Sequence, residues 1–273
     1  MTVDFHTHIF PDKIANKTVQ ILEKSANMRS HSDGTHSGLL SSMKRAGVSL
    51  SVNLPVLTSP SQFESVLKFA LDINERFAAS TDGAERILSF AGMHPEVDEP
   101  EEKLLRIKDS GILGIKIHPD YQGTFFDDER YVRILAEAKR LGLITVTHAG
   151  FDAGYPDSPI RCTPRRVLNL LDRIGGYDRL VLAHFGGNRL LPEVYSELAG
   201  REIYFDTACV LGDISRGDFE RVLNKHGEKR ILFATDSPWR DLSEDKEIIK
   251  GYALGESMEK SIFFENARLL LGI

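Results

Sequence analysis

Short apolar runs rich in β-branched residues recur along the chain, and each is followed by a stretch with amphipathic character. None of the runs alternates polar with apolar residues as a half-exposed antiparallel strand does, so they predict strands that are buried on both faces. Eight strands are predicted, at residues 2–6, 50–54, 87–92, 112–118, 143–148, 179–184, 202–206 and 231–236. This pattern is typical of a parallel sheet that is covered on both faces.

The stretches between the strands have the spacing of amphipathic helices. One example has apolar side chains at Phe63, Val66 and Ala70, which fall on one face of a helix. Another has Pro164 directly after Thr163, the arrangement of a helix N-cap followed by the first helical residue. About eight such helices therefore alternate with the predicted strands.

This alternation predicts an α/β protein with the fold of a (β/α)8 TIM barrel. Each strand–helix unit takes about 34 residues, and the length of 273 residues matches the ~250 that such a barrel needs. A doubly wound open sheet is the alternative, but HTHIFP follows the first strand instead of the glycine-rich turn of dinucleotide-binding folds. Because we find no linker, low-complexity tract or repeat, we predict a single domain over residues 1–273.

Composition and charge narrow the choice of partners. The chain has 34 Lys and Arg against 40 Asp and Glu, and a net charge of −6 disfavours a broad surface for nucleic acid or an anionic membrane. The sequence shows neither a secretory signal nor an apolar stretch of the ~20 residues that a membrane span requires. We therefore expect a cytoplasmic protein with a small-molecule substrate, and homo-oligomerisation stays open.

Nine histidines are the unusual feature of the composition. Six lie at or just beyond the ends of predicted strands: His6, His8, His94, His118, His148 and His184. In a barrel of this kind the active-site groups come from the carboxyl ends of strands and the loops that follow. The two cysteines, Cys162 and Cys209, are too few for a sulfur-rich metal site or a disulfide framework.

Four of the strand-end residues have the chemistry of a metal site. His6 and His8 are two residues apart on a strand, so both rings project to one face, and His148 and Asp236 can complete the ligand set from other strands. Taken alone, each has a simpler explanation: His148 can be a core residue, and Asp236 can cap a turn before Ser-Pro. The prediction rests on their joint occurrence at strand ends.

Motifs at five strand ends and at the C-terminus carry a resemblance to a known family. They are DFHTH at the first strand, GIKIHPDYQG at the fourth, THAGF at the fifth, LAHFGG at the sixth, FATDSPW at the eighth and ENARLLLGI at the end. In this order the chain resembles the amidohydrolase superfamily of metal-dependent (β/α)8 barrels, in particular its amidohydrolase-related (amidohydrolase 2) branch. The resemblance spans the whole chain.

The resemblance implies that His6, His8 and His148 hold a divalent metal and that Asp236 is both a ligand and a proton shuttle. It also implies that His184 orients or deprotonates a metal-bound water, or polarises the substrate. We expect Zn²⁺ in preference to Mn²⁺ or Fe²⁺, and one ion in preference to two. A bound Zn²⁺ lowers the pKa of its water to about 7 and polarises a carbonyl oxygen, which is the chemistry that hydrolysis needs.

Lys116 lies two residues before His118, so the two side chains share a face of the fourth strand. Some relatives carboxylate a lysine on this strand to bridge two metals. Since no Asp or Glu occupies the equivalent place here, a second metal would need that modification. We favour the alternative that Lys116, with help from His118, binds an anionic group of the substrate. Pairing of its amine with a nearby carboxylate stays open.

Residues outside the strand ends give weaker predictions. The loop after the fifth strand is long for its type, and Tyr155, Asp157 and Arg161 are its candidates for substrate contact, although a solvated loop explains them equally well. Trp239 is expected to wall the pocket. His226 lies at a predicted helix end, where a cationic side chain suits the helix dipole, so we expect it at the surface.

Three classes of function compete. The first is a hydrolase that attacks the C–N or C–O bond of an amide, lactone or ester with a metal-activated water. The second is a non-oxidative decarboxylase that acts on a small carboxylic acid, in which Arg161 or Lys116 would seat the departing carboxylate. The third, a metal-binding protein without catalysis, is disfavoured because the set that activates water, including His184 and Asp236, looks complete.

Overall fold

The predicted strands form a parallel barrel in the computed structural model, which describes residues 1–80 and 84–273. The strand segments are β1 (Val3–Thr7), β2 (Leu50–Asn53), β3 (Arg86–Ser89), β4 (Ala91–Gly92), β5 (Gly114–Ile117), β6 (Ile144–Thr147), β7 (Leu180–Leu182), β8 (Tyr204–Asp206) and β9 (Ile231–Leu232). Segments β3 and β4 are separated by Phe90 alone, so together they occupy the third of eight positions around the barrel.

Backbone hydrogen bonds close the barrel between its first and last strands. All neighbouring segments pair in parallel, in the orders β1-β2-β3 and β4-β5-β6-β7-β8-β9. Across the remaining seam, the Phe5 N–H donates to Phe233 O (2.9 Å) and the Asp236 N–H donates to His6 O (2.8 Å). This closure excludes the open doubly wound sheet and confirms the (β/α)8 barrel.

Helices follow the strands as predicted. They are α1 (Asp12–Ala26), α2 (His36–Ala46), α3 (Phe63–Ala79), α4 (Pro100–Asp109), α5 (Glu129–Arg140), α6 (Pro164–Ile174), α7 (Leu191–Glu193), α8 (Arg216–His226), α9 (Leu242–Gly251), α10 (Glu256–Lys260) and α11 (Asn266–Leu271). Residues Val194–Leu198 and Ser261–Glu265 form π-helical segments, and Pro60–Gln62 and Glu228–Arg230 form 3₁₀ turns. Within the described parts of the chain, no helix is long and apolar enough to cross a membrane.

Helix α6 shows how local sequence signals set the ends of a helix. The Thr163 side chain accepts a hydrogen bond from the Arg166 N–H at the N-cap, and Pro164 is the first helical residue, as the sequence predicts. The helix ends at Gly175, whose left-handed backbone (φ 69°) suits glycine. Its Val167 and Leu171 are buried in the hydrophobic core. Residues of β1, β2, β5 and β6 are buried throughout, which confirms strands covered on both faces.

Candidate active site

A cavity of about 950 Å³ lies at the carboxyl ends of the barrel strands. Its inner part is lined by most of the predicted site residues: His6, His8, Lys116, His118, His148, His184 and Asp236. Trp239 also lines the cavity, as expected, and so does Cys209. The structure thus brings residues from the beginning, middle and end of the chain into one pocket.

Three of these residues, His6, His8 and Asp236, form a compact cluster that we name the first triad. Their ligand atoms lie within 4.8 Å of one another. The Nε2 atoms of His6 and His8 are 3.2 Å apart, and Asp236 Oδ1 lies 3.4 Å from the first and 3.1 Å from the second. His6 belongs to β1, and Asp236 lies in the chain after β9. The two residues face each other across the seam that closes the barrel.

The hydrogen-bond partners of the two rings determine where their protons lie. His6 Nδ1 donates to Asp206 Oδ2 (2.8 Å), and His8 Nδ1 donates to the Leu54 carbonyl (2.8 Å). In neutral rings the Nε2 atoms therefore carry lone pairs. Burial, with help from Lys116, lowers the pKa of His6 to about 4, so this ring is neutral near pH 7.

The first triad consequently presents three acceptor atoms to one point. The third acceptor is a carboxylate oxygen of Asp236. Among the described residues, its Oδ1 has no satisfactory hydrogen-bond donor. Two imidazole nitrogens and a carboxylate oxygen are ligands that suit a divalent cation such as Zn²⁺ or Mn²⁺, so the residues present fit a metal.

Lys116 points its ammonium group at the first triad. Its Nζ lies 3.0 Å from His6 Nε2, and the residue is only 1% exposed. Burial lowers the pKa of Lys116 to about 8, against the opposing effect of the carboxylates of Asp206 and Asp236. A buried cation at this place can meet an anionic substrate group that enters the cavity.

His118, His148 and Asp152 form a second cluster, which we name the second triad. The rings of His118 and His148 stack with centroids 4.3 Å apart. Asp152 Oδ2 lies 3.3 Å from His118 Nε2 and 3.9 Å from His148 Nε2. The assignment of His148 to one ligand set with His6, His8 and Asp236 stays a prediction. Burial lowers the pKa of both rings well below the ordinary value.

His184 connects the two triads. Its Nδ1 donates to the Ala208 carbonyl (2.9 Å), so its Nε2 accepts the Nδ1 proton of His148 (2.9 Å). Its ring centroid is 5.7 Å from that of His6 and 4.6 Å from that of His148. The ring is thus fixed in one tautomer and positions His148 through a hydrogen bond.

Some residues that were expected in the pocket lie elsewhere. In the described structure, Tyr155, Arg161 and His94 are not among the residues that line the cavity. Arg161 faces the buried carboxylate of Asp120 at 3.5 Å, and this attraction directs it away from the pocket. Tyr155 packs against Tyr121 with ring centroids 5.3 Å apart. The prediction that Tyr155 and Arg161 contact substrate thus has no support from their positions.

Two carboxylates of the site escaped the sequence predictions. Asp206 holds His6, and it stands at the end of β8, where the rule about strand ends could have indicated it. Asp152 belongs to the loop after β6 and lines the cavity. Its signal was weaker, because it is four residues beyond His148 in a loop whose course the sequence leaves open.

Several residues at the strand ends have a left-handed backbone. His184 (φ 58°), Phe185 (φ 57°), Cys209 (φ 54°) and Asp236 (φ 71°) all have positive φ without being glycine. Such conformations are uncommon for these residue types and occur often at functional sites. The chain turns sharply at these points, so that the side chains of His184 and Asp236 enter the cavity.

The loop that carries Asp152 is fastened to the neighbouring loop. The Phe151 N–H donates to Asn188 O (2.9 Å), and the Asn188 side-chain amide donates to Phe151 O (2.8 Å). Gly150 makes this approach possible, because a Cβ at this position would lie 2.1 Å from Asn188 N. Asp152 is therefore held at a fixed place beside the histidines.

Comparison with known proteins agrees with the fold. The sequence model of the amidohydrolase family (amidohydrolase 2) matches residues 3–273. The chain belongs to this family of (β/α)8-barrel enzymes and is an enzyme. A search of curated proteins gave no match.

Three solved structures illustrate the similarity. A 2,6-dihydroxybenzoate decarboxylase from Rhizobium has 17% identity and a TM-score of 0.69, with coverage of 99% of this chain and 98% of the other. A 5-carboxyvanillate decarboxylase from Novosphingobium aromaticivorans, with bound manganese, has 12% identity, a TM-score of 0.72 and coverage of 100% and 97%. A Pseudomonas putida protein proposed to be a 2-pyrone-4,6-dicarboxylic acid hydrolase has 15% identity, a TM-score of 0.64 and coverage of 99% and 97%.

Proposed function

We propose that this amidohydrolase-family enzyme holds a divalent cation at the first triad and hydrolyses a C–N or C–O bond of a small amide, lactone or ester. The observation that carries the proposal is the convergence of three acceptor atoms, His6 Nε2, His8 Nε2 and Asp236 Oδ1. The Lys116 ammonium lies 3.0 Å from His6 Nε2, but Asp236 Oδ1 has no donor among the described residues, and a cation between the three atoms would satisfy it.

The residues around the triad have distinct tasks. When bound, the cation supplies Lewis-acid polarisation and lowers the pKa of a water molecule to about 7. The Asp236 carboxylate accepts a proton from the attacking water and returns it to the leaving group, first as a general base and then as a general acid. Lys116 orients an anionic group of the substrate, and His184 holds the pocket wall through its bond to His148.

The outer part of the cavity supports a small substrate with an apolar portion. Apolar side chains from α1, α3 and two loops line it, among them Phe10, Ile14, Val66, Phe69 and Trp239. A volume of about 950 Å³ is in the range of pockets for small molecules. The charged groups of the inner part and the apolar groups of the outer part favour a substrate that combines a polar reacting end with an apolar body.

A decarboxylase of small carboxylic acids is the second candidate, and two observations favour it. Two of the three structural relatives described above are decarboxylases of aromatic acids. The buried Lys116 ammonium also offers a cation for a carboxylate, although Arg161, the other cation considered, pairs with Asp120 instead. The manganese in one relative makes Mn²⁺ a metal to test beside Zn²⁺.

One experiment distinguishes the two reactions. The chain, loaded with Mn²⁺ or Zn²⁺, is incubated in ¹⁸O-labelled water with a panel of lactones, esters, amides and aromatic carboxylic acids. Hydrolysis incorporates ¹⁸O into the product, whereas decarboxylation releases CO₂ without labelling the organic product.

The Asp236→Asn variant tests the catalytic assignment in the same assay. We expect a loss of at least about 100-fold in rate, since a carboxamide cannot take up the proton. The matched control is Asp172→Asn on the exposed side of α6. Full activity after stripping of all metal would contradict the proposed function.

A further inference from the structure

Helix α1 lies across the mouth of the cavity. It follows β1, at the first of the eight barrel positions, and its C-terminal end reaches the loop after β6, at the fifth position. A Cβ atom on Gly154 of that loop would lie 3.9 Å from Ser25 Oγ of α1. Since the first and fifth positions of an eight-stranded barrel stand opposite each other, the helix covers the entrance.

One stripe of α1 faces the cavity. Its residues are spaced by four, as one face of a helix requires, and they are Ile14, Thr18, Leu22 and Ala26. Leu22 is half-buried and Ile14 is 50% exposed, although both side chains are apolar. The protein therefore covers this apolar surface only in part, and a ligand in the cavity can cover the rest.

Few contacts fasten α1 to the barrel. Ala15 and Val19 are its only buried residues, and neither belongs to the hydrophobic clusters that the described residues form. In the part of the chain that the structure describes, the side chains of α1 form hydrogen bonds only within residues 12–30. Segments with so few apolar contacts open at a small fraction of the free energy of global unfolding.

The segment that contains α1 has a closed base and bonds of its own. At the base, the Phe10 N–H donates to Gly34 O (2.8 Å). Inside the segment, the N–H and the hydroxyl of Ser30 both donate to Glu23 Oε1 at 2.7 Å. Residues 11–30 are thus joined to one another more firmly than to the barrel, which suits a flap that moves as one body.

From these observations we infer that α1 is a lid over the active site and that the apolar body of the substrate holds it closed. The inference rests on the proposed function for its ligand, a small molecule with a polar inner end and an apolar outer body. When the inner end meets Lys116, the outer body covers Ile14 and Leu22 and supplies the apolar contacts that α1 lacks. Closure then excludes water from the reacting groups, and opening releases the product.

Hydrogen exchange of the full chain, followed by mass spectrometry of peptides from α1 and α6, tests the lid. One probe is 4-butylbenzoate, which has a carboxylate and an apolar tail, and the other is benzoate, which lacks the tail. Calorimetry sets each probe to a saturating concentration. We expect α1 to exchange at least about 100-fold faster than α6 in the free protein. The tailed probe should slow α1 at least about 10-fold and benzoate less than about 3-fold.

Two neighbouring substitutions identify the face of α1 that meets the ligand. Leu22→Asn changes the cavity side, whereas Ile21 is 56% exposed and is not among the residues that line the cavity in the described structure. Leu22→Asn should weaken binding of 4-butylbenzoate at least about 5-fold and abolish its effect on α1. Ile21→Asn, the matched control, should keep both. Slow exchange of α6 in each variant shows that the barrel is folded.

Several results would overturn the lid. One is exchange of α1 as slow as that of α6 in the free protein, which would indicate a fixed wall. Others are a failure of 4-butylbenzoate to bind or to slow α1, an equal effect of benzoate, and equal effects of the two substitutions.

None of these measurements depends on turnover, so they separate the lid from the proposed function. Hydrolysis of a panel substrate by a chain whose α1 does not respond would leave the proposed function standing and overturn the lid. A responsive α1 in a chain that hydrolyses none of the panel would support the lid and overturn the proposed function.

Discussion

At the scale of single residues, the groups behind the histidines decide what each ring can do. Asp206 accepts a hydrogen bond from His6 Nδ1, and the Leu54 carbonyl accepts one from His8 Nδ1. In the neutral rings the Nε2 atoms therefore carry the lone pairs. Fixing a tautomer in this way orients a ligand and raises its basicity. The sequence shows the rings but not these partners, because two of the contacts join residues 46 and 200 positions apart.

The Asp206→Asn variant should weaken metal binding at the first triad. Asp206 Oδ1 accepts from the His184 and Ala208 N–H groups, so an asparagine that keeps these bonds directs its NH₂ at His6 Nδ1. His6 must then carry its proton on Nε2, the atom that should face the metal. We expect about 10- to 100-fold weaker binding of Mn²⁺ to this triad, measured by equilibrium dialysis. Unchanged affinity would show that the tautomer is not controlled by Asp206.

His226 shows that the surroundings of a helix end are hard to foresee. It ends α8 as predicted, but the expectation of a surface residue is wrong, because the ring is buried and stacks on Phe205 with centroids 3.9 Å apart. Its Nδ1 accepts a hydrogen bond from the Gly200 N–H. Burial lowers the pKa of His226 from 6.5 to about 4.

This lowered pKa predicts a loss of stability in acid. Between pH 6.5 and 4 the unfolded chain binds a proton at His226 that the folded chain does not bind. The contribution of His226 to the free energy of unfolding is therefore complete above pH 6.5 and falls as the pH approaches 4. Between pH 7 and pH 4, the free energy of unfolding of the wild type should fall by about 3 kcal/mol more than that of His226→Gln. Urea unfolding at the two pH values measures the difference. Parallel curves for the two proteins would contradict the assignment.

At the scale of elements, the sequence predicts strands and helices well and loops poorly. The apolar runs and the Thr163–Pro164 signal are local, and the corresponding elements form where they were expected. The strand ends also bring His6, His8 and Asp236 together as predicted. Arg161 lies beside Asp120, and that contact is set by packing between loops, which no local pattern encodes.

The N-cap of α6 gives a prediction at this scale. Thr163→Ala removes the side-chain acceptor for the Arg166 N–H and should lower the free energy of unfolding by about 1 kcal/mol. Thr163→Ser keeps the hydroxyl and is the matched control, with stability close to that of wild type. Urea unfolding of the three proteins measures the difference, and equal losses in both variants would argue against a role of the cap.

At the scale of the whole molecule, closure of the barrel depends on a polar contact at its seam. The buried Asp4 carboxylate on β1 accepts hydrogen bonds from the Thr235 N–H (3.0 Å), the Thr235 hydroxyl (2.6 Å) and the His6 N–H (3.2 Å). These bonds join the first strand to the chain that follows β9. They also lie directly beneath the first triad, so closure and the site share one support.

Asp4→Ala should therefore destabilise the entire barrel. It leaves three buried donors without an acceptor, and each unsatisfied group costs about 1–3 kcal/mol, so we expect a loss of at least about 3 kcal/mol. Thr235→Val removes one of the three donors and should cost less. Calorimetric or urea unfolding measures both. A loss in Asp4→Ala no larger than that in Thr235→Val would rule out the seam as a main source of stability.

The left-handed residues at the strand ends set stability against activity. His184 (φ 58°) and Asp236 (φ 71°) have left-handed backbones, which glycine adopts most readily. Such conformations cost about 1–3 kcal/mol in other residues. Replacement by glycine would relax the backbone and at the same time delete a functional side chain. Directed evolution for heat resistance alone would thus replace these two residues early. Selection for turnover would retain them despite the strain.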